Sequence, residues 1–254
     1  MPPREPYPLT NAHWKAEWAK SHLDALKEAV RNFCTDSHSI IVDEELERDQ
    51  VRYRVYLKQP HVSIYLICGD FLQCLRTALD QAVWSLINYR KGIDSEASEF
   101  PVFEKPLNTK TRDRFKAKID GLSDAAVAYI ESIQPYNRPI GLPLSASHLW
   151  CLHEMNRIDK HRRISVRSSI SLASRHHFGL VVPGADFAEV SEETTDYGFD
   201  VVCRGAYKYL KPEISSHVIF GESQTGIFME VDEIGQLYNF VADEVLVALA
   251  SRLQ

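Results

Sequence analysis

The spacing of hydrophobic residues predicts helices in most of the chain before residue 163. Apolar side chains recur at steps of three to five residues from about His13 to Cys34, as a one-sided helix requires, and Asn11 is the expected N-cap. The most apolar run, from about Val62 to Tyr89, predicts the central helix of the core. Further helices are predicted over 109–119, over 123–133 with Ser123 as N-cap, and over 144–162.

In most of the other segments hydrophobic and polar residues alternate with a period of two, which is typical of β-strands. Two β-branched or aromatic runs flank a charged stretch and predict a β-hairpin at about 38–57. Towards the C-terminus we expect a loop over the acidic run 189–196 and a closing helix from Asp232, its N-cap, to about Leu253. The strands predicted in this part are Ile164–Ala173, Phe178–Val182, Tyr197–Tyr207 and Ile214–Phe220.

This order of elements predicts an α+β fold. A helical core of four to six helices is combined with an N-terminal β-hairpin and a C-terminal antiparallel sheet closed by a final helix. We expect a single domain over 1–254, in which 1–163 is mainly helical and 164–254 holds the later strands and the last helix. The hydrophobic content of 44% and the mass of 29.0 kDa suffice for a large core, which excludes disordered and solenoid proteins.

The net charge of −6 conceals an uneven distribution. Residues 1–183 hold 25 basic and 22 acidic side chains, whereas residues 184–254 hold 4 basic and 13 acidic ones. Two tracts in the first part are locally basic, 105–118 with a formal charge of +5 and 157–167 with +4. They form either a track for an RNA backbone or ordinary solvated helix faces.

The cysteines and the N-terminus predict a cytoplasmic protein without a membrane segment. The proline-rich stretch Met1–Thr10 lacks the apolar centre of a signal peptide, and no apolar run reaches the roughly 18 residues of a membrane span. The five cysteines are scattered, which is typical of reduced thiols and not of disulfides. Neither a metal site nor a cofactor is expected, because no ligand cluster and no glycine-rich phosphate loop occurs.

The helix predicted over 144–162 carries the densest group of polar side chains. Asp159 falls on its inward stripe, so it needs a partner, which we expect to be Arg76 of the central helix or Arg162. Two polar rows run beside that stripe and are able to line a groove. One row is His153, Arg157 and His161, and the other is Asn156 and Lys160.

The central helix supplies an opposite wall, since Arg76 and Asp80 are neighbours one turn apart. Two interpretations stand side by side. In the structural one, the Asp–Arg–His cluster formed by Arg76, Asp80 and the polar side chains of the later helix joins two packed helices. In the functional one, the same side chains surround a shared ligand.

Trp14 and Trp18 lie four residues apart on the first predicted helix. Because large aromatic side chains are usually buried, we expect them in the core or in a contact between two copies of the chain.

Three segments resemble a family of uncharacterised bacterial and phage-borne proteins. They are Leu75–Asp80, Glu99–Phe103 and Leu152–Arg162, which match an Arg-x-x-Leu-Asp helix, an extended Phe-Pro patch and an Asp-Lys-His-Arg helix. The resemblance covers roughly 60–165. It implies a shared fold more than a function. The structural interpretation of the Asp–Arg–His cluster separately predicts an interaction module associated with phage defence or mobile elements.

The segment Arg157–His161 also resembles the active-site helix of HEPN-type ribonucleases, in which an Arg precedes a His by one more residue than here. This resemblance implies a metal-independent ribonuclease or RNA-binding protein that works as a homodimer. Its catalytic residues would be His161, Arg157, Asn156 and Asp159. Its substrate-binding residues would be Arg76, Asp80, His153, Lys160 and Arg162. A histidine transfers protons near neutral pH and a nearby arginine stabilises a charged transition state.

Overall fold

The computed structural model describes residues 8–36, 38–47, 50–92, 98–162, 164–173, 191–195, 198–204, 213–222 and 224–252. The chain divides into two compact units. The helical unit is Met1–Glu28, Val62–Ser165 and Phe220–Gln254, and the strand unit is Ala29–His61 and Val166–Ile219. The single domain expected over 1–254 stays a prediction.

Seven α-helices are present in the described part of the chain. They are α1 (Thr10–Thr35), α2 (Val62–Lys91), α3 (Thr109–Ile119), α4 (Asp124–Ser132), α5 (His148–His161), α6 (Val231–Asn239) and α7 (Leu246–Ala250). A π-helical segment, Phe240–Val245, joins the last two, and short 3-10 turns occupy Pro135–Asn137 and Leu144–Ala146. The predicted α+β class is confirmed.

Capping side chains determine where several helices begin. Ser123 accepts a hydrogen bond from the backbone of Ala126, so its prediction as an N-cap is confirmed. Asn11 is not a cap, because α1 already begins at Thr10. Asp232 is not a cap either, since α6 begins after Glu230, whose backbone N–H donates to the Glu233 carboxylate at 2.8 Å.

The helix predicted from residue 144 begins later than expected. Leu144–Ala146 forms a 3-10 turn, and Ser147 then caps α5 by accepting from the Trp150 N–H at 3.3 Å. A serine side chain that bonds the backbone three residues ahead starts a new helix there, which separates the turn from α5.

The strands are β1 (His38–Glu47), β2 (Gln50–Leu57), β3 (Ser165–Ala173), β4 (Ser191–Thr195), β5 (Gly198–Arg204), β6 (Glu213–Glu222) and β7 (Ile227–Met229). The four-stranded sheet has the order β1-β2-β5-β4, and β2 pairs antiparallel with both β1 and β5. The early strands and the later ones therefore share one sheet. A three-stranded sheet has the order β3-β6-β7.

Two strands of the structure, β4 and β7, were not predicted from the sequence, and one predicted strand lies outside the described residues. The acidic run predicted as a loop contains β4, an edge strand that pairs with β5. Charged side chains are common on edge strands, where they oppose further pairing. β7 has three residues, too few for a period to be recognised. The predicted strand Phe178–Val182 lies outside the described residues.

The buried face of α1 differs from its predicted stripe. Trp14 and Trp18 are 65% and 59% exposed, so their expected place in the core is wrong, while a contact between two copies of the chain stays a prediction. Alanines occupy the buried face instead, together with Leu23, Leu26 and Val30.

α2 is the central helix of the helical unit, as expected. Its Phe71, Leu72, Leu75 and Leu79 are wholly buried. By length and composition α2 is the one described helix that satisfies a test for a membrane span, but 56% of the tested window is buried and core helices satisfy the same test.

α5 packs against α2 at Gly69. A Cβ atom built at Gly69 would lie 2.7 Å from both carboxylate oxygens of Asp159. A side chain at position 69 would therefore fit at this crossing only if the Asp159 side chain moved.

We predict that Gly69→Ala destabilises the protein by about 1–3 kcal/mol, because the added methyl group overlaps Asp159. Urea unfolding at neutral pH measures the change. Gly235→Ala is the matched control, since its Cβ would make only ordinary van der Waals contacts, with Lys27 at 3.6 Å and Leu23 at 3.9 Å. The double variant Gly69→Ala/Asp159→Ala is expected to recover most of the loss. Equal stabilities of the two glycine variants would contradict the packing argument.

Candidate functional site

Arg76 and Asp80 hold the backbone of Phe100. Arg76 Nη2 donates to Asp80 Oδ1 at 2.7 Å and to the Phe100 carbonyl at 2.6 Å. The Phe100 N–H donates to the same Asp80 oxygen at 2.9 Å. Phe100 itself is wholly buried and Arg76 is 7% exposed. We call these three residues the Phe100 latch; it fixes the extended Phe-Pro segment to α2.

Positive side chains surround the acidic member of the latch. Burial raises the pKa of Asp80, while Arg76, the Phe100 N–H, Lys160 and Lys118 act in the opposite direction. Lys118 also forms an ion pair with Glu99. The latch therefore lies in a locally positive part of the helical unit.

His153 lies beside the latch and is half-buried. Its pKa is lowered to about 4, chiefly by burial; Arg76, Lys118 and Arg157 act in the same direction, and Glu154 opposes them. The imidazole is therefore neutral at neutral pH. It does not act as a cation toward a ligand under those conditions.

Arg157 is held by Glu154. Its Nε donates to Glu154 Oε2 at 3.0 Å and its Nη2 bonds the other carboxylate oxygen. The Glu154 side chain is only 9% exposed, whereas that of Arg157 is 46% exposed. The bonds from Arg157 lower the pKa of Glu154 and raise that of Arg157, so both groups stay ionised.

The two partners proposed for Asp159 are wrong. Arg76 is engaged in the latch, and Arg162 Nη1 binds Glu222 Oε1 at 2.7 Å. Among the described residues Asp159 has no ion-pair partner. It lies half-buried against Gly69, where burial and the charge of Asp70 raise its pKa.

The predicted catalytic residues occupy different surroundings. Asn156 is 4% exposed, and its Oδ1 has no hydrogen-bond partner among the described residues. His161 and Lys160 are exposed near the end of α5. The structure thus brings Arg76, Asp80 and His153 together. It does not bring His161, Asn156 and Asp159 to one point.

A cavity of about 580 Å³ lies beside α5. Arg157, Arg162 and Glu154 line it together with Trp150. The other walls are 143–145, before α5, and 224–226, the turn between β6 and β7. We call this space the α5 cavity.

The sequence reasoning missed the carboxylates that hold the two cavity arginines. Glu154 is three residues before Arg157 on one helix, a spacing that indicates an ion pair. Glu222 lies 60 residues after Arg162, and no sequence pattern links them. The turn residue Gln224 also bonds Arg162, at 3.3 Å, and carried no sequence signal.

No protein-family model matches this chain, and neither does any curated protein or solved structure. Both resemblances noted in the sequence stay predictions. The latch, α5 and the cavity are therefore the features from which a function can be inferred.

We predict that Asp80→Ala lowers the free energy of unfolding by about 3 kcal/mol, because it leaves the Arg76 guanidinium buried without its carboxylate. Arg76→Leu/Asp80→Ala is expected to cost less than the two single changes combined. Asp120→Ala removes the exposed Lys91–Asp120 pair and serves as control, with an expected cost below about 1 kcal/mol. Urea denaturation measures all four variants. A cost of Asp80→Ala no greater than that of the control would refute the latch.

We predict that His153 makes stability depend on pH. Its folded pKa of about 4 lies below the ordinary 6.5, so the unfolded chain takes up the proton first as the pH falls. The stability that the neutral imidazole contributes is complete above about pH 6.5 and is lost progressively toward about pH 4. Unfolding by urea at pH 7 and pH 5 is the measurement. His153→Gln is expected to flatten this pH dependence, and an unchanged slope would contradict the assignment.

Proposed function

We propose that this protein is a bacterial interaction or defence-associated module whose Asp–Arg–His cluster is mainly structural. The observation that carries the proposal is the Phe100 latch, in which Arg76 and Asp80 bond both polar groups of one backbone residue. The module would act in the cytoplasm on a protein or RNA partner, without a membrane, a cofactor or a metal.

The chemistry of the cluster supports this proposal. A catalytic guanidinium has to reach the substrate, but Arg76 is 7% exposed. A general acid or base works best with a pKa near the working pH, and the pKa of His153 is lowered to about 4. These properties suit a group that stabilises the contact between the Phe-Pro segment and α2.

The proposal includes the finer architecture expected from the sequence. It consists of one domain over 1–254 with an N-terminal hairpin, a C-terminal antiparallel sheet and a final helix that closes it.

A second candidate function is a metal-independent ribonuclease or RNA-binding protein of HEPN-like type. It is favoured by the position of Arg157 and His161, which are both exposed and lie one turn apart on α5. The exposed basic side chains of α3, Lys110, Arg112, Arg114 and Lys116, also suit a phosphate backbone. In this alternative a second copy of the chain completes the site, and Asn156, Lys160 and Arg162 assist His161.

We predict that the purified protein does not cleave single-stranded RNA in the presence of a chelator. His161→Ala is expected to leave both the RNA and the melting temperature unchanged, because His161 is an exposed side chain. Gel analysis of labelled RNA is the measurement, and His61→Ala, another exposed histidine, is the control.

Cleavage by the wild type and by His61→Ala, combined with its loss in His161→Ala, would replace the proposed function by the second candidate. RNA binding without cleavage that weakens steeply with salt would instead identify RNA as the partner of the module.

A further inference from the structure

We propose that the α5 cavity binds a small phosphate ester of about mononucleotide size. This inference rests on the proposed function, because it names a ligand class for the interaction module. It concerns Arg157 and Arg162, which lie outside the Phe100 latch.

Two guanidiniums line the α5 cavity, and each is anchored by a carboxylate. The side chains of Arg157 and Arg162 are 46% and 43% exposed, whereas those of their partners Glu154 and Glu222 are 9% and 18% exposed. A half-exposed arginine on a largely buried carboxylate keeps its position before a ligand arrives. Most of the conformational entropy of both side chains is then lost when the protein folds, so ligand binding costs less entropy.

Both guanidiniums keep donors for a ligand. Arg157 bonds Glu154 through Nε and Nη2, and Arg162 bonds Glu222 and Gln224 through Nη1. Within the described part of the chain, Nη1 of Arg157 and both Nε and Nη2 of Arg162 have no other hydrogen-bond partner. Planar guanidinium donors match the oxygens of a phosphate group better than those of a neutral ligand.

Because the charges around the cavity cancel, a ligand is held there by individual hydrogen bonds from the arginines and not by a net positive charge. Counting Glu222, the two arginines and two glutamates sum to zero formal charge. Such a site selects a ligand that accepts several hydrogen bonds at one end. A terminal phosphate has several charged acceptor oxygens clustered on one atom, whereas the acceptors of the base and the sugar are uncharged and spread apart.

The size and the walls of the cavity indicate more than a bare ion. Its volume of about 580 Å³ lies within the usual range of roughly 300–1,000 Å³ for small-molecule sites. Pro143, Leu144 and Trp150 give it an apolar side. At the turn, Gly226 has a φ of 68°, and a Cβ built there meets no atom within 4 Å, so this side has room for a ligand.

The test is isothermal titration calorimetry on the full chain. The probes are the four ribonucleoside 5′-monophosphates, the four nucleosides, inorganic phosphate and a short RNA without terminal phosphates. We expect at least one monophosphate to bind about tenfold or more tightly than its nucleoside, because the nucleoside lacks the charged acceptor. Inorganic phosphate is expected to bind more weakly than that monophosphate, since it does not contact the apolar wall.

Paired substitutions keep the variants folded. Glu154→Gln/Arg157→Gln removes one guanidinium without leaving a buried charge, and it is expected to weaken the bound monophosphate about tenfold or more. Lys20→Gln/Asp24→Asn is the matched control, because it removes an ion pair whose lysine is 42% exposed on α1, outside the cavity lining. The control is expected to bind as the wild type does. Melting temperatures confirm that both variants are folded.

Three results would overturn the inference: no monophosphate binds, each nucleoside binds as tightly as its monophosphate, or the cavity variant binds like the control. Binding of the RNA alone would likewise exclude a small phosphate ester as the ligand. None of these results concerns RNA cleavage, which is the separate test of the proposed function.

Discussion

A buried guanidinium needs hydrogen-bond acceptors, and in the helical unit the Arg76 guanidinium obtains them from α2 and from the extended Phe-Pro segment. Arg76 lies in the most apolar helix, where its charge is tolerated because Asp80 and the Phe100 carbonyl accept its hydrogen bonds. In return the Phe100 N–H finds its acceptor in Asp80. One polar contact thus gives partners to Nη2 of Arg76 and to a piece of irregular backbone, while Nη1 of Arg76 is buried without a hydrogen-bond partner among the described residues.

The same pairing of arginine with carboxylate has a different result beside α5. At the latch the arginine is buried, and the bonds lie inside the protein. At the cavity the carboxylates of Glu154 and Glu222 are the more buried members, and their arginines are left half-exposed. Which member of the pair lies deeper decides whether the pair can only support the fold or can also meet a ligand.

Helical periodicity predicted the local structure well, because it depends on neighbours along the chain. The bounds of α3 and the cap at Ser123 follow from such local signals. Partners across the fold were not predictable: Asp159 fell on the inward stripe as expected, but the geometry of α2 gives it Gly69 and not Arg76. Trp14 was wrongly expected in the core because hydrophobicity ranks it above alanine, whereas the buried face of α1 contains Ala12, Ala16 and Ala19.

The pairing of β2 with β5 has a consequence for synthesis on the ribosome. Val51 lies opposite Cys203, so more than half of the chain must be made between the two partners. Until β5 is made, the edge of β2 that will pair with it leaves its backbone N–H and C=O groups unpaired. Such an edge pairs readily with strands of other chains. The helical contacts between residues 76 and 100 form over a much shorter separation. The nascent chain can therefore complete the Phe100 latch long before β2 meets β5, and aggregation is favoured at that edge of β2 in the interval.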